Sequence, residues 1–253
     1  MTDTPRLTAL VYGASGAGKS WLGATTPVPR LIIDLEGRAR YTPDGEQATQ
    51  WNGIDPLLNA DGTSAIPRSP TRTVIVTVTE VKTLDSVYQW LRSGKHPFVS
   101  VTLDSLMFAQ MRTRSDISSG SADFRTQDWG TLLWKIERLV TQFHDLTLLP
   151  VTKVRSVVFL AGSTMKDGFL VPMMQGQIGS KLPYLVDMAG YLQATRTEAG
   201  ELVRQLIVEP YPAHGIRDVK DGTHKVSATF GGIIQDPNFT RMYEALRSQE
   251  EKG

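Results

Sequence analysis

The chain has no cysteine, which excludes disulfides, thiolate zinc sites and cysteine nucleophiles. Histidine is scarce as well: four in 253 residues, well scattered, so a histidine-based metal centre is not expected. No apolar run approaches the roughly 18 residues of a membrane span, and no membrane partner is expected. The first residues, Met1-Thr2-Asp3-Thr4-Pro5, lack a basic segment followed by an apolar one, so no secretion signal is expected either. Charge of one sign is also wanting. Lys plus Arg number 27 against 26 Asp plus Glu, a formal charge of +1, which argues against a histone-like blanket of charge while leaving room for local basic loops. These absences together predict a soluble, cytoplasmic protein. Hydrophobic residues make up 40 % of the chain, enough to bury a core, and its length suits one large α/β domain or two small ones.

What is present centres on Gly13-Ala14-Ser15-Gly16-Ala17-Gly18-Lys19-Ser20. This is a glycine, four free positions, then Gly-Lys-Ser, the Walker A pattern of phosphate-binding loops. The run before it, Leu7 to Tyr12, is short and apolar enough for a buried strand, and a helix can begin at Lys19. That context matters, because the pattern carries weight between a strand and a helix. Glycines let the backbone curl so that successive N–H groups point inward, and a helix N-terminus adds partial positive charge. Gly13 to Ser20 are therefore expected to bind ATP, with Lys19 reaching the β- and γ-phosphates and the Ser20 hydroxyl ligating Mg²⁺.

Further along, Pro27 and Pro29 must end the first helix early. Arg30-Leu31-Ile32-Ile33-Asp34-Leu35-Glu36-Gly37 reads as a buried strand closing on two carboxylates. Residues 37–71 carry Gly, Pro, Asp and Asn throughout and are expected to be an irregular insertion. Thr73 to Val78 is a strand by its β-branched content, and Leu84, Val87, Tyr88 and Leu91 recur at helical spacing. Phe98 to Ser105 is another strand ending on an acid. Residues 112–127 read as a polar connection, and Trp129 to Phe143 as a strong helix with Leu132, Leu133, Ile136, Leu139, Val140 and Phe143 on one face. Val157 to Ala161 is a further buried strand, followed by a Gly/Met/Gln/Lys-rich stretch at 162–181. Segments near 184–195 and 202–209 around Glu198-Ala199-Gly200-Glu201 predict an antiparallel hairpin. Val226 to Ile234 suggests one more strand, Asp236-Pro237-Asn238 starts a last helix, and Ser248 to Gly253 looks frayed. Strands alternating with helices predict an α/β fold: a mainly parallel twisted sheet flanked by helices, with nucleotide at the carboxyl ends of the strands. One domain over residues 1–253 is expected.

Two acids should face that nucleotide. Asp104 follows Val99-Ser100-Val101-Thr102-Leu103 as a Walker B acid should, and there it would hold Mg²⁺ directly or through water. Glu36, just past the strand after the phosphate loop, is placed to orient or deprotonate an attacking water. Asp34 competes for that role from one pleat deeper on the same side. The expected catalytic set is Glu36, Lys19 and Asp104, with Ser20 and Asp104 as metal ligands.

The order of these pieces resembles the RecA-like ATPases, in which a catalytic glutamate follows the second strand in the phrase Ile-Asp-x-Glu and Asp-Ser ends the Walker B strand. Ile33-Asp34-Leu35-Glu36 and Asp104-Ser105 stand here. The run Val157 to Gly162, followed by Pro172-Met173-Met174-Gln175-Gly176-Gln177 and Leu182 to Asp187, is similar to the compact RecA-like ATPases of bacteriophages, the nucleotide-binding or single-strand-annealing recombination proteins. The resemblance spans roughly residues 6–234. It implies a polar sensor after the fourth core strand, where Ala161-Gly162-Ser163-Thr164 offers hydroxyls and Gln175 or Gln177 an amide. It implies two DNA-facing loops, which put Arg112, Arg114 and Arg125 and then Lys166, Gln175, Gln177 and Lys181 forward as contacts to single-stranded DNA. It further implies self-association as a ring or short filament, with Arg217, Lys220 or Lys225 entering a neighbour's site to neutralise charge on the γ-phosphate.

The function expected is thus a Mg²⁺-dependent ATPase of phage recombination or replication that engages single-stranded DNA as an oligomer. Two alternatives use the same loop: a small-molecule kinase such as a nucleotide kinase, and a nucleotide-gated structural or packaging partner.

Overall fold

Every position of Leu7–Gly13 is buried, as a mainly apolar run is when it becomes a strand covered on both faces, and its Thr8 hydroxyl donates to Asp187. This is β1, and in the computed structural model, which describes residues 5–39, 42, 45–48, 73–118, 124–221 and 229–250, it lies at the middle of an 11-stranded sheet. The chain continues through a short helix α1 (Lys19–Gly23), β2 (Arg30–Asp34), β3 (Gly45–Ala48), β4 (Thr73–Thr77), α2 (Val81–Arg92) and β5 (Ser100–Asp104). Two helices follow, α3 (Leu106–Ile117) and α4 (Thr126–Asp145), then β6 (Ser156–Lys166), β7 (Phe169–Pro172) and one turn of helix, α5 (Ile178–Lys181). The last part holds β8 (Met188–Arg196), β9 (Leu202–Ile207), β10 (Lys220–Asp221), β11 (Ile233–Gln235) and a C-terminal helix, Phe239–Glu250.

Strand order is β11-β9-β8-β1-β6-β5-β2-β4-β3, with β10 beside β8 and β7 beside β6. From β8 to β3 all neighbours run parallel. The antiparallel members are β7, β9, β10 and β11. The expected architecture, a mainly parallel sheet with a late antiparallel hairpin, is the one observed; its hairpin strands are β8 and β9.

Apolar side chains alternate between two cores because successive strand residues face opposite ways. Leu10, Tyr12, Leu31, Ile33, Val101, Leu103, Val157 and Phe159 pack with Leu84, Val87 and Leu91 of α2, Leu106 of α3, and Leu132, Ile136, Val140 and Phe143 of α4. Leu7, Ala9, Val11, Val158, Leu160, Leu192 and Leu206 pack on the other face with Leu22 of α1 and with Phe239, Met242 and Leu246 of the C-terminal helix. That helix is tied to the turn after α1, where the Thr25 hydroxyl accepts from Phe239 N at 2.9 Å and Thr25 O accepts from the Thr240 hydroxyl at 2.7 Å. Among the described residues no helix is long and apolar enough to cross a membrane.

Several local expectations change. Part of the polar connection expected at 112–127 is helical: α3 runs on to Ile117 because Leu106, Ala109, Gln110 and Thr113 keep one face buried, α4 begins at Thr126, and 119–123 lies outside the described residues. Within the expected irregular segment 37–71, Gly45–Ala48 is a strand that extends the sheet edge beside β4, and 49–72 lies outside the described residues. Leu182–Leu185 is a 3₁₀ turn with Pro183 near its start, so the hairpin begins later than expected, at Met188. Of the strand expected at Val226–Ile234, Ile233 and Ile234 belong to β11, while 222–228 lies outside the described residues. The final helix continues through the expected frayed start at Ser248 to Glu250.

Candidate active site

Parallel register brings the carboxyl ends of three strands to one edge of the sheet: Gly13 ends β1, and Asp34 pairs with Asp104 at the ends of β2 and β5. The loop after Gly13 must turn sharply, and Gly16 and Gly18 do so with φ of 79° and 96°. Gly13 answers a different constraint, since a Cβ there would lie 2.3 Å from the Leu192 carbonyl oxygen of β8. Ala14, Ser15 and Gly16 are exposed, whereas Ala17 is buried in the core with Leu22 and anchors the loop. The loop and α1 pass over β6, with Gly23 seated against Thr102 and Leu160. This crossing delivers the Ser20 hydroxyl to Asp104, to whose Oδ2 it donates at 2.5 Å.

Lys19 Nζ donates to the carbonyls of Gly13 and Ala14 at 3.0 and 2.9 Å. Burial lowers its pKa below the ordinary value, against the opposing pull of the Asp104 and Glu36 carboxylates. Burial likewise pushes Asp104 up to about 6; the Ser20 hydrogen bond holds it down, Glu36 and Asp34 push it further up, and Lys19 lowers it. Asp34 and Glu36, competitors in the sequence, do different things. Asp34 is buried and spends its carboxylate on the turn, accepting from Glu36 N and Gly37 N through Oδ1 and from Ala39 N through Oδ2, at 2.7 to 3.0 Å. Glu36 is half-buried, and its Oε1 accepts from the Ser105 hydroxyl at 2.6 Å. The turn carrying Glu36 is pinned from α3, where Arg112 donates to Leu35 O at 2.8 Å and to Thr79 O.

The donor set fits a magnesium-bound nucleotide. Ser20 and Asp104 present two hard oxygens side by side, and no cluster of three His, Cys, Asp or Glu occurs among the described residues. That is the pattern of an ion held by one carboxylate, a hydroxyl and the ligand's own phosphates, not by a protein cage.

A family model described as an AAA domain matches residues 6–226. The chain belongs to the AAA domain family. It is an ATPase-type domain, and nucleotide binding goes with it. No curated protein matches it. Among solved structures it is similar to a KaiC-like protein from the hyperthermophilic archaeon Pyrococcus horikoshii OT3, at 15 % identity and TM-score 0.42, covering 91 % of this chain and 89 % of that one. It is also similar to an ATPase from the type III secretion system of pathogenic bacteria, at 15 % identity and TM-score 0.46, over 98 % of this chain and 63 % of that one, so this AAA domain spans less than two thirds of that ATPase. A third likeness is to the RadB recombinase, at 14 % identity and TM-score 0.42, over 81 % and 80 % of the two chains. These likenesses are distant, and the reading of the site rests on its own geometry.

Elsewhere in the AAA domain the expected DNA contacts separate into two groups. Arg112 is engaged by the Glu36 turn, Arg125 pairs with Asp128 at the start of α4, and Lys181 pairs with Glu137 at 2.7 Å. Arg114 instead joins an aromatic cluster: its guanidinium lies 5.1 Å from the Phe124 ring and 5.6 Å from Trp129, and it donates to the Gln175 side chain at 3.2 Å. Gln175 is fixed to α3 through a reciprocal pair of hydrogen bonds with Gln110. Gln177 precedes α5, and Lys166 is exposed at the far end of β6. Of the expected sensor candidates, Ala161 to Thr164 all lie within β6. Arg217 lies 4.2 Å over the Phe169 ring and pairs with Asp218, and Lys220 sits in β10 opposite Ala189, away from the loop. Lys225 lies outside the described residues.

Three features of the site escaped the sequence. The Ser105 hydroxyl on Glu36 and the Arg112 staple depend on β2 lying beside β5 and α3, which no local pattern shows. Arg204, on β9, lies over Gly18 for the same kind of reason.

Proposed function

We propose that the protein is a Mg²⁺-dependent, RecA-like ATPase of phage DNA recombination or replication, acting as an oligomer on single-stranded DNA. The observation that carries the hydrolytic part is one sheet edge at which Lys19, Ser20, Asp104 and a Ser105-held Glu36 converge. Loop amides from Gly13 to Gly18 hold the phosphates, and Lys19 exchanges its two carbonyl partners for the β- and γ-phosphate oxygens. Ser20 and Asp104 would hold magnesium, which would supply neutralisation of charge developing on the transferred phosphoryl group. Glu36 orients the attacking water and takes its proton, and the Ser105 hydroxyl fixes the carboxylate that does so.

Support for the DNA part is the cluster of Phe124, Trp129, Arg114 and Gln175, since aromatic faces beside a cation suit stacked bases and a phosphate backbone. The phage assignment rests on the run Val157 to Gly162, followed by Pro172 to Gln177 and Leu182 to Asp187. The test is ATP hydrolysis with and without single-stranded DNA, run beside light scattering for mass. We expect magnesium-dependent turnover that rises with DNA, a mass above one chain, and loss of turnover in Lys19→Ala. Turnover and band shift both indifferent to DNA would remove the DNA part, and transfer of phosphate to a nucleoside monophosphate would replace the reading with a kinase.

A further inference from the structure

We infer that Arg204 is an in-chain cation of the nucleotide site that grips the phosphates common to ADP and ATP; this rests on reading residues 13–20 as the phosphate loop. Arg204 lies on β9 opposite Ala194 of β8, and β8 lies directly beside β1, the strand that runs into the loop. Strand alternation puts Arg204 on the same face as Leu206, which is buried in the core with Ala17, Leu22 and Leu192. The arginine therefore stands where that apolar face meets the loop.

Its side chain lies against Gly18. The position a Cβ would take at residue 18 is 2.4 Å from Arg204 Nε, 3.1 Å from Cδ and 3.3 Å from Cζ. Glycine at 18 thus serves two ends: it allows a φ of 96°, and it makes room for a guanidinium. Arg204 Nε is shut off from solvent and has no hydrogen-bond partner among the described residues. A buried N–H without an acceptor is costly, so this arginine is held against Gly18 at a cost, and a guanidinium beside a phosphate loop is suited to take a phosphate oxygen through its remaining N–H groups.

Position also decides which phosphates. In loops of this pattern the backbone amides cradle the α- and β-phosphates, while the lysine reaches the β- and γ-phosphates. Gly18 is one of the loop residues whose amides do the cradling, so a guanidinium against it is assigned to groups that ADP and ATP share. It is distinct from Arg217, which lies over the Phe169 ring, and from Lys220, which sits in β10 opposite Ala189. An interaction made equally with substrate and product contributes affinity without favouring the transition state.

The test is calorimetric titration of ADP and of ATP, in magnesium buffer, into the full chain and into Arg204→Met, which keeps an apolar stem in place. Kd for both nucleotides is expected to rise by the same factor, about 10- to 100-fold, as for loss of a charge-assisted hydrogen bond, with unfolding temperature measured without nucleotide little changed. Unchanged ADP affinity overturns the inference, and so does a loss confined to ATP, which would put the arginine on the γ-phosphate. If Arg204→Met does not fold, Arg204→Lys keeps stem and charge but loses the planar fork. It should bind both nucleotides more weakly, and wild-type affinity for ADP would then overturn the inference. Failure of the unaltered protein to bind either nucleotide is a different outcome, and it removes the phosphate-loop reading itself.

Discussion

Asp34 and Glu36 carry the same functional group two positions apart, and the turn between them separates their roles. Every acceptor bond recorded for Asp34 goes to a backbone N–H of that turn. Asp34→Asn puts a donor where an acceptor is needed, and a buried donor left unsatisfied costs about 1–3 kcal/mol. The expected result is a lower unfolding temperature by scanning calorimetry, by roughly 2–4 °C per kcal/mol for a chain of this size. Ser105→Ala should act differently, lowering kcat by roughly tenfold or less at unchanged unfolding temperature, since the hydroxyl orients Glu36 without accepting its proton. An unaltered kcat in Ser105→Ala would mean that Glu36 needs no such holding. The phrase Ile33-Asp34-Leu35-Glu36 marked both acids in the sequence, with Glu36 expected as the catalytic one, while strand alternation put both on one side. What the sequence did not show is how each carboxylate is bonded, Asp34 to the turn's backbone and Glu36 to the Ser105 hydroxyl.

The elements that carry these residues are fixed by contacts distant in sequence. Arg112 is the clearest case, because its place on α3 lets it hold the ends of β2 and β4 together from outside the sheet. Arg112→Ala should free the Glu36 turn and reduce kcat more than ATP affinity, by steady-state assay beside equilibrium titration. β1 is set as tightly. Gly13→Ala would press a methyl group into the Leu192 carbonyl and separate β1 from β8, at about 1–3 kcal/mol for overpacking. β5, which ends at Asp104, is entered through His96 and Phe98. His96 Nδ1 accepts from Phe98 N and Nε2 donates to Leu91 O, a pattern the neutral ring alone can make. Burial lowers the His96 pKa, with Lys153 adding to the effect. The unfolded chain therefore binds this proton more readily than the folded one, so the stability His96 contributes is present above about 6.5 and is lost as pH falls below it. Between pH 7 and pH 5 Asp104, raised to about 6, works in the opposite direction, so the readout is the difference between two proteins: the unfolding temperature of His96→Gln should fall less, or rise more, over that range than that of the unaltered chain. Helices α2 and α4 and the buried strands were legible because periodicity and burial agree there. The continuation of α3 was not, because its second half presents Arg112, Arg114 and Asp116 to the reader and hides its buried face in Ala109, Gln110 and Thr113.

At the scale of the whole molecule, a parallel sheet gathers strand ends that are far apart in sequence, and the site is the place where three of them meet. The loop motif and the two acids were readable because each is a short phrase in a fixed context. Arg204 and the Phe124–Trp129–Arg114 cluster were not, because each depends on which strand or helix lies beside which. With Ser20 and Asp104 as the side-chain donors at the proposed metal position, an ion there would be shared between protein and nucleotide. Removing magnesium with a chelator should therefore abolish turnover while leaving the unfolding temperature of the nucleotide-free protein unchanged. The most direct measurement is ATP turnover by Glu36→Gln, with ATP affinity of the same sample taken by calorimetry. The account predicts a fall in kcat of about 10²–10⁴ with Kd within a few-fold of the unaltered protein. Turnover at the unaltered rate would contradict it.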